Sequence, residues 1–281
     1  MLVELNEILD IAEKKEFCIP AFNVYNLETV KGVMNVAEKL KAPVILQMYS
    51  RLVTSGVADH VAPIIVEFAN KAKVPVAFHL DHGAGEKEVV RSLRLGMTGI
   101  MYDGSAYSFE ENKEKTKNAV RLCSYVGVGV EGELGHVGKA ADGDEKAVAE
   151  YTHPEEAEEY VSETGVSALA VMVGTAHGRY KQAPVLDIER IKTIKDRVKI
   201  PLVLHGGSGV PDEQIVRAIK AGIRKMNFST DLCYSFLDAC RSQDKNIVAI
   251  DLFMEGENGP ISAVEKFAES KIKVLGAENK A

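Results

Sequence analysis

Eight short apolar runs, each followed by a stretch of helical periodicity, constrain this chain more than any other feature. The runs fall at residues 19–24, 44–48, 76–80, 99–102, 127–134, 168–173, 202–204 and 225–228. They are mainly apolar on both faces, as buried parallel strands are, though 127–134 is broken by glycines and carries Glu131 and Glu133. Helical spacing predicts an opening helix over 5–15, then helices over 28–40, 57–72, 86–95, 109–125, 187–198 and 211–221. Another begins at Asp231, and a last one spans 260–273. Thr152-x-x-Glu155, with Pro154 in the first turn, reads as a capping box that starts one more helix. Eight βα units predict an α/β protein, a (β/α)8 TIM barrel, in preference to an open doubly wound sheet. A length of 281 residues suits one such domain over 1–281 with a C-terminal helical extension.

A net charge of −7 gives no electrostatic case for nucleic acid or an anionic membrane as partner. It leaves room for a phosphorylated substrate, which backbone N–H groups can bind. The four cysteines, Cys18, Cys123, Cys233 and Cys240, form no C-x-x-C pair and read as free thiols of a reducing compartment. Residues 1–7 carry acids where a signal peptide needs bases, and no apolar stretch is long enough to span a membrane. The expectation is a cytoplasmic protein.

In a TIM barrel, function collects at the C-terminal ends of the strands. Polar residues of this chain cluster there: Asn23, Ser50 and Arg51, Asp81 and His82, Asp103, Glu133, His177, His205, Asn227, Ser229 and Thr230. The opposite ends carry Pro43, Pro75, Lys199 and Pro201, which read as scaffold. A single histidine at a strand end is usually a hydrogen-bonded structural residue. Here His82, His177 and His205 each end an apolar run and each precede a glycine. Three neutral imidazoles with one open position make a catalytic zinc arrangement. His79 sits among core residues and suits a structural or supporting role. His60 and His153 read as surface positions, and His136 in the polar stretch 135–151 has no assigned role.

Asp81 ends an apolar strand, where a carboxylate is costly unless a metal, a cation or donors compensate it. It is either a structural carboxylate tied to N–H groups or a general acid/base beside the metal. Asp103 and Glu133 could hold a second cation or pair with bases. Gly206-Gly207-Ser208-Gly209 and Asn227-Phe228-Ser229-Thr230-Asp231 follow strands seven and eight, a recurring phosphate-binding position in barrels. Glycine in a tight turn needs no ligand, so the paired position carries this reading.

These residues resemble the class II, zinc-dependent ketose-bisphosphate aldolases over nearly the whole chain. The most specific matches are His79-Leu80-Asp81-His82, Glu133-Leu134-Gly135, Gly174-Thr175-Ala176-His177-Gly178, Leu204 through Gly209, and Lys225 through Thr230. The resemblance implies a catalytic zinc ion on His82, His177 and His205, with Asp81 as the acid/base. It implies a second divalent ion on Asp103 and Glu133. Gly178, Gly206, Gly207, Ser208, Asn227, Phe228, Ser229 and Thr230 would form the dihydroxyacetone-phosphate site. A Na+ or K+ ion would lie near Gly178 and Gly206, held by backbone carbonyls. The implied reaction is cleavage of fructose 1,6-bisphosphate or tagatose 1,6-bisphosphate to dihydroxyacetone phosphate and an aldehyde such as glyceraldehyde 3-phosphate. The chain would work as a homodimer or homotetramer.

Lysine Schiff-base chemistry is disfavoured, because Lys199 and Lys225 are placed at the N-terminal strand ends and Lys181 in a loop. Two departures from the family bear on the sugar. Alanine stands where a lid glutamate is expected, with Asp142, Asp144 and Glu145 slightly later. Ser229 replaces an acid or amide and is more like the tagatose-bisphosphate branch. Arg51 and the lid are candidates to meet the distal substrate group. The alternatives are 6-phospho-5-dehydro-2-deoxygluconate aldolase, a sugar-phosphate-binding barrel without catalysis, and a metal-dependent barrel hydrolase.

Overall fold

A computed structural model describes residues 1–135, 151–178, 180–253 and 259–281. Eight parallel strands close into a barrel in the order β1-β2-β3-β4-β5-β6-β7-β8. They are β1 (Ile19–Asn23), β2 (Val44–Tyr49), β3 (Val76–Gly83), β4 (Gly99–Tyr102), β5 (Gly129–Leu134), β6 (Ala168–Val171), β7 (Leu202–Leu204) and β8 (Ile223–Phe228). Closure comes from β1 on β8, where Ala21 pairs with Asn227. The helices are α1 (Leu5–Lys15), α2 (Leu27–Lys39), α3 (Ser50–Thr54), α4 (Ala58–Lys71), α5 (Glu86–Arg94), α6 (Phe109–Ser124), α7 (Pro154–Thr164), α8 (Ile188–Val198), α9 (Asp212–Ala221), α10 (Thr230–Arg241), α11 (Ala249–Phe253) and α12 (Pro260–Val274). The TIM barrel expected from the alternation is present.

Two layers of burial hold the barrel. Outside it, Leu5, Ile8 and Leu9 of α1, Val30 and Val33 of α2 and Ile191 and Ile194 of α8 turn fully buried aliphatic faces to the strands. The last helix closes on this shell. A Cβ on Gly32 of α2 would lie 2.8 Å from a Val264 methyl, so α2 and α12 meet at a position where only glycine fits. Phe22 and Phe228 each meet Phe267 of α12 edge-on; the Phe228 ring centroid lies 5.9 Å from that of Phe22 and 6.0 Å from that of Phe267. Several buried strand residues are polar. Gln47, His79, Glu131 and Lys225 have no exposed surface. The His79 ring fits because Gly99 faces it; a Cβ there would lie 2.6 Å from the ring.

Three expectations are corrected. The strand expected over 76–80 runs on to Gly83, and its register against β4 shifts between Leu80 and Gly83. This bulge places Asp81 and His82 at the barrel mouth, with His82 in the left-handed region at φ 53°. Thr152 does not cap α7. Its hydroxyl donates to Leu134 O at 2.5 Å and accepts from the Met172 N–H at 2.8 Å, tying the ends of β5 and β6, while His153 is the N-cap residue without a side-chain cap bond. Ser50–Thr54, to which the sequence assigns no element, form α3, which is too short to show periodicity. Lys225 is not at the N-terminal end of β8: the strand starts at Ile223 and Lys225 points into the barrel.

Candidate active site

The barrel mouth holds a cavity of about 490 Å³. Asp81, His82, Asp103, Glu133 and His177 line it. Gly178, Gly206, Ser208, Asn227, Ser229 and Thr230 line it as well. The strand ends therefore bring together most of the residues singled out in the sequence. His136, Asp142, Asp144 and Glu145 lie outside the described residues.

His82, His177 and His205 form a triangle. Ring centroids are 4.9 Å apart for His82 and His177, 4.8 Å for His82 and His205, and 6.0 Å for His177 and His205. One ligand atom of each lies within 4.8 Å of the others, as a shared metal ion requires. Two of the rings are fixed by carboxylates. His82 Nδ1 is 2.7 Å from Asp103 Oδ2, and His205 Nε2 is 2.8 Å from Glu131 Oε1. A carboxylate only accepts, so each of these nitrogens carries the proton. That assigns His82 Nε2 and His205 Nδ1 as the free donors, the carboxylate–imidazole support typical of metal sites. His205 Nδ1 and Glu133 Oε2 are buried 3.2 Å apart without forming a hydrogen bond. These unsatisfied atoms, together with the donor set, fit a bound cation. His82, Asp103 and Glu133 make a second possible set, which shares His82 with the first.

The electrostatics are those of a centre built for charge. Burial disfavours the His205 cation, but the carboxylates of Glu131 and Glu133 beside it outweigh this and lift the ring to about 10. Burial and the charges of His82 and His205 drop His177 to about 3. His79 falls to about 3 through burial and the nearby Lys225. Burial raises Asp103, yet the hydrogen bond to His82 overcomes this and holds its carboxyl well below the usual range.

Asp81 sits between two amides. Asn23 Nδ2 donates to Oδ2 at 2.7 Å and Asn227 Nδ2 to Oδ1 at 3.1 Å. Each amide is oriented by a further donor: Gln47 Nε2 donates to Asn23 Oδ1 at 2.7 Å, and Lys225 Nζ to Asn227 Oδ1 at 2.8 Å. Both amides must then turn their nitrogens to Asp81. Burial pushes Asp81 up, but His82, His205, Lys225 and the Asn23 amide together hold it below its ordinary value. The carboxylate form is therefore favoured. Lys225 also pairs with Glu131 Oε2 at 2.8 Å. One buried network thus runs from Gln47 through Asp81 to His205. The sequence reading gave Gln47, Glu131 and Lys225 no role. Their signal was present as single polar residues inside otherwise apolar runs.

The turns after β7 and β8 meet the cavity unevenly. Ser208 and Ser229 line it, and α10 starts at Thr230 with its N-terminus on this side. Two of the expected binding residues point elsewhere. The Gly207 N–H donates to Asn227 O at 3.2 Å, and the Phe228 ring packs outward on Phe22 and Phe267. Ser229 Oγ is 2.8 Å from the Tyr25 hydroxyl. Tyr49 and Ser50 reach the cavity wall, whereas Arg51 is exposed on α3.

Comparison with known proteins agrees with this geometry. The family model for class-II fructose-bisphosphate aldolase matches residues 3–280, so the chain belongs to that family. It is 38% identical over 279 residues to the sulfofructosephosphate aldolase of Alkalicoccus urumqiensis, covering 98% of this chain and 96% of that one. The crystal structure of the YdjI aldolase from Escherichia coli K12 superposes with a TM-score of 0.90 at 36% identity, covering 100% of both chains. The fructose-bisphosphate aldolase of Campylobacter jejuni gives a TM-score of 0.77 at 25% identity, covering 100% of this chain and 97% of that one. Among the described residues no helix is long and apolar enough to cross a membrane.

Proposed function

We propose that the protein is a zinc-dependent aldolase that cleaves a phosphorylated ketose and releases dihydroxyacetone phosphate. The observation that carries this reading is the placement of Asp81, an ionised carboxylate clamped by two amides, beside three convergent imidazoles. His82, His177 and His205 would hold the zinc ion, which when bound supplies Lewis-acid stabilisation of negative charge developing on the substrate ketone. Asp103 and Glu133 would hold a second ion or support the first through His82 and His205.

Asp81 takes the proton of the C4 hydroxyl as the C3–C4 bond breaks. C4 leaves as the aldehyde carbon, and the bonding pair stays on the C3 side as an enediolate. A carboxylic acid then returns a proton to C3, a role for Asp142, Asp144 or Glu145. Asn23 and Asn227 keep the Asp81 oxygens aimed and leave lone pairs for the incoming proton. Ser208, Ser229 and the first turn of α10 at Thr230 receive the phosphate, with helix-terminal N–H groups supplying donors that need no basic side chain. Lys225 does not act as a Schiff-base lysine, because its ammonium is held by Glu131 and Asn227. Cys18 and Cys123 are free and buried, which suits a reducing cytoplasm.

Fructose 1,6-bisphosphate and tagatose 1,6-bisphosphate are the first substrates to try. Sulfofructose phosphate joins them from the name of the Alkalicoccus relative. Metal analysis combined with a coupled assay for dihydroxyacetone phosphate tests the reading. Bound zinc and cleavage of at least one phosphoketose are expected. Absence of metal binding, or a zinc-loaded protein that cleaves none of the three, overturns it.

A further inference from the structure

We propose that Tyr25 is a positioning residue: its hydroxyl holds the Ser229 side chain off the N-terminus of α10 and leaves the Ser229 hydroxyl proton for an oxygen of the bound phosphoketose. The assignment rests on reading the cavity as the ketose-phosphate site. β1 and β8 lie side by side, with Phe22 paired to Phe228, so the segments that follow them leave the barrel as neighbours. Ser229 is the first residue after β8, and Tyr25 is the second after β1. Their hydroxyl oxygens are 2.8 Å apart. Of the two, Ser229 lines the cavity and Tyr25 does not.

Ser229 occupies the N-cap position of α10, where a serine hydroxyl ordinarily accepts from an N–H of the first turn. It makes no such bond. The Asp231 N–H is met instead by Ser208 Oγ, from the turn after β7, at 3.2 Å. The Ser229 hydroxyl is thereby left to Tyr25. The direction of their bond follows from chemistry. A phenol is a stronger acid and a weaker acceptor than an alkyl hydroxyl, because its oxygen shares a lone pair with the ring. Tyr25 therefore donates and Ser229 Oγ accepts. Burial pushes the Tyr25 hydroxyl up to about 12 against the Ser229 hydrogen bond, so it keeps its proton at neutral pH. Ser229 retains its own proton, free for a ligand in the cavity that it lines. Tyr25 is itself fixed: its N–H donates to Thr29 Oγ1 at 3.0 Å, and Thr29 belongs to the capping box that starts α2 at Asn26.

Tyr25→Phe keeps the ring and lets the Ser229 side chain swing onto α10. The test is steady-state cleavage of the phosphoketose that the parent uses, in zinc-loaded parent, Tyr25→Phe, Ser229→Ala and the double variant. Tyr25→Phe should raise KM by about 2–10-fold, the worth of one hydrogen bond, with kcat close to that of the parent. Ser229→Ala should raise KM at least as much, and Tyr25→Phe on that background should cost nothing more, since the hydroxyl it positions is gone. A tyrosine with a merely structural role would cost the same on both backgrounds. A parent-like KM in Tyr25→Phe, a loss carried by kcat alone, or losses that multiply in the double variant overturn the assignment and leave the aldolase reading standing. A parent that cleaves no phosphoketose overturns that reading and the assignment with it.

Discussion

The Lys225 ammonium lies 2.8 Å from Glu131 Oε2, and neither side chain has any exposed surface. This pair sits where two orienting chains meet, one through Asn227 to Asp81 and one through Glu131 to His205. Removing one member of a buried pair leaves the other charge uncompensated. Lys225→Met should therefore cost about 3–5 kcal/mol in urea unfolding. Lys225→Met combined with Glu131→Gln should recover most of that loss. A double variant whose loss equals the sum of the Lys225→Met and Glu131→Gln losses would show that the pair is not energetically coupled.

Asp81→Asn retains the shape of the side chain and removes the base. Turnover should fall by about 10²–10⁴-fold, the usual contribution of a positioned proton acceptor. Bound zinc, counted by metal analysis, should stay at the parent level. A variant with near-parent turnover would move the proton transfer to another group.

Gly206→Ala introduces a Cβ 2.4 Å from Ala176 O at a φ of 65°. The backbone must shift, since a carbonyl of the neighbouring segment cannot rotate away as a side chain can. A stability loss of about 1–3 kcal/mol is expected from strain at such a position. Metal affinity should weaken with it. Calorimetry on metal-free protein and chelator competition read the two effects; unchanged values in both would mean that the contact is not tight.

The metal-free protein should respond to pH in two opposite ways. His205 is raised in the folded state from 6.5 to about 10. A raised folded value contributes stability that is fully present below the unfolded value and is lost as pH rises through the folded one. The metal-free protein should lose this contribution between pH 6.5 and 10. Zinc needs the same imidazole neutral, so apparent zinc affinity should climb over the same interval, with proton release on binding. Urea unfolding and chelator competition across that range give the two slopes. Zinc affinity that falls with rising pH would contradict the assignment of His205 as a ligand.

The order of strands and the polar residues at their ends were legible because buried parallel strands are apolar throughout and stop where polar side chains begin. What the sequence hid was direction. The bulge that aims Asp81 and His82 depends on the register of β3 against β4, which no pattern within β3 encodes. Lys225 looked like a strand-start residue because Ile223 and Arg224 extend β8 backwards without a continuous apolar run. With two more residues in place, Lys225 and Asn227 alternate onto the same inward face. Thr152 carries a capping signature, yet a hydroxyl between two strand ends found stronger partners in Leu134 O and Met172 N–H. Gly207 and Phe228 fall within the family motif, but the backbone turn leaves one N–H bonded internally and one ring facing α12.

On the proposed reading this site activates dihydroxyacetone phosphate through a metal held by three imidazoles, whichever sugar it serves. Solvent exchange tests this without a choice of aldehyde. Zinc-loaded protein in deuterium oxide should exchange one hydrogen on the hydroxymethyl carbon of dihydroxyacetone phosphate, followed by proton NMR. The exchange should vanish on chelation and in His177→Ala. A zinc-loaded protein that leaves both hydrogens in place would contradict the account.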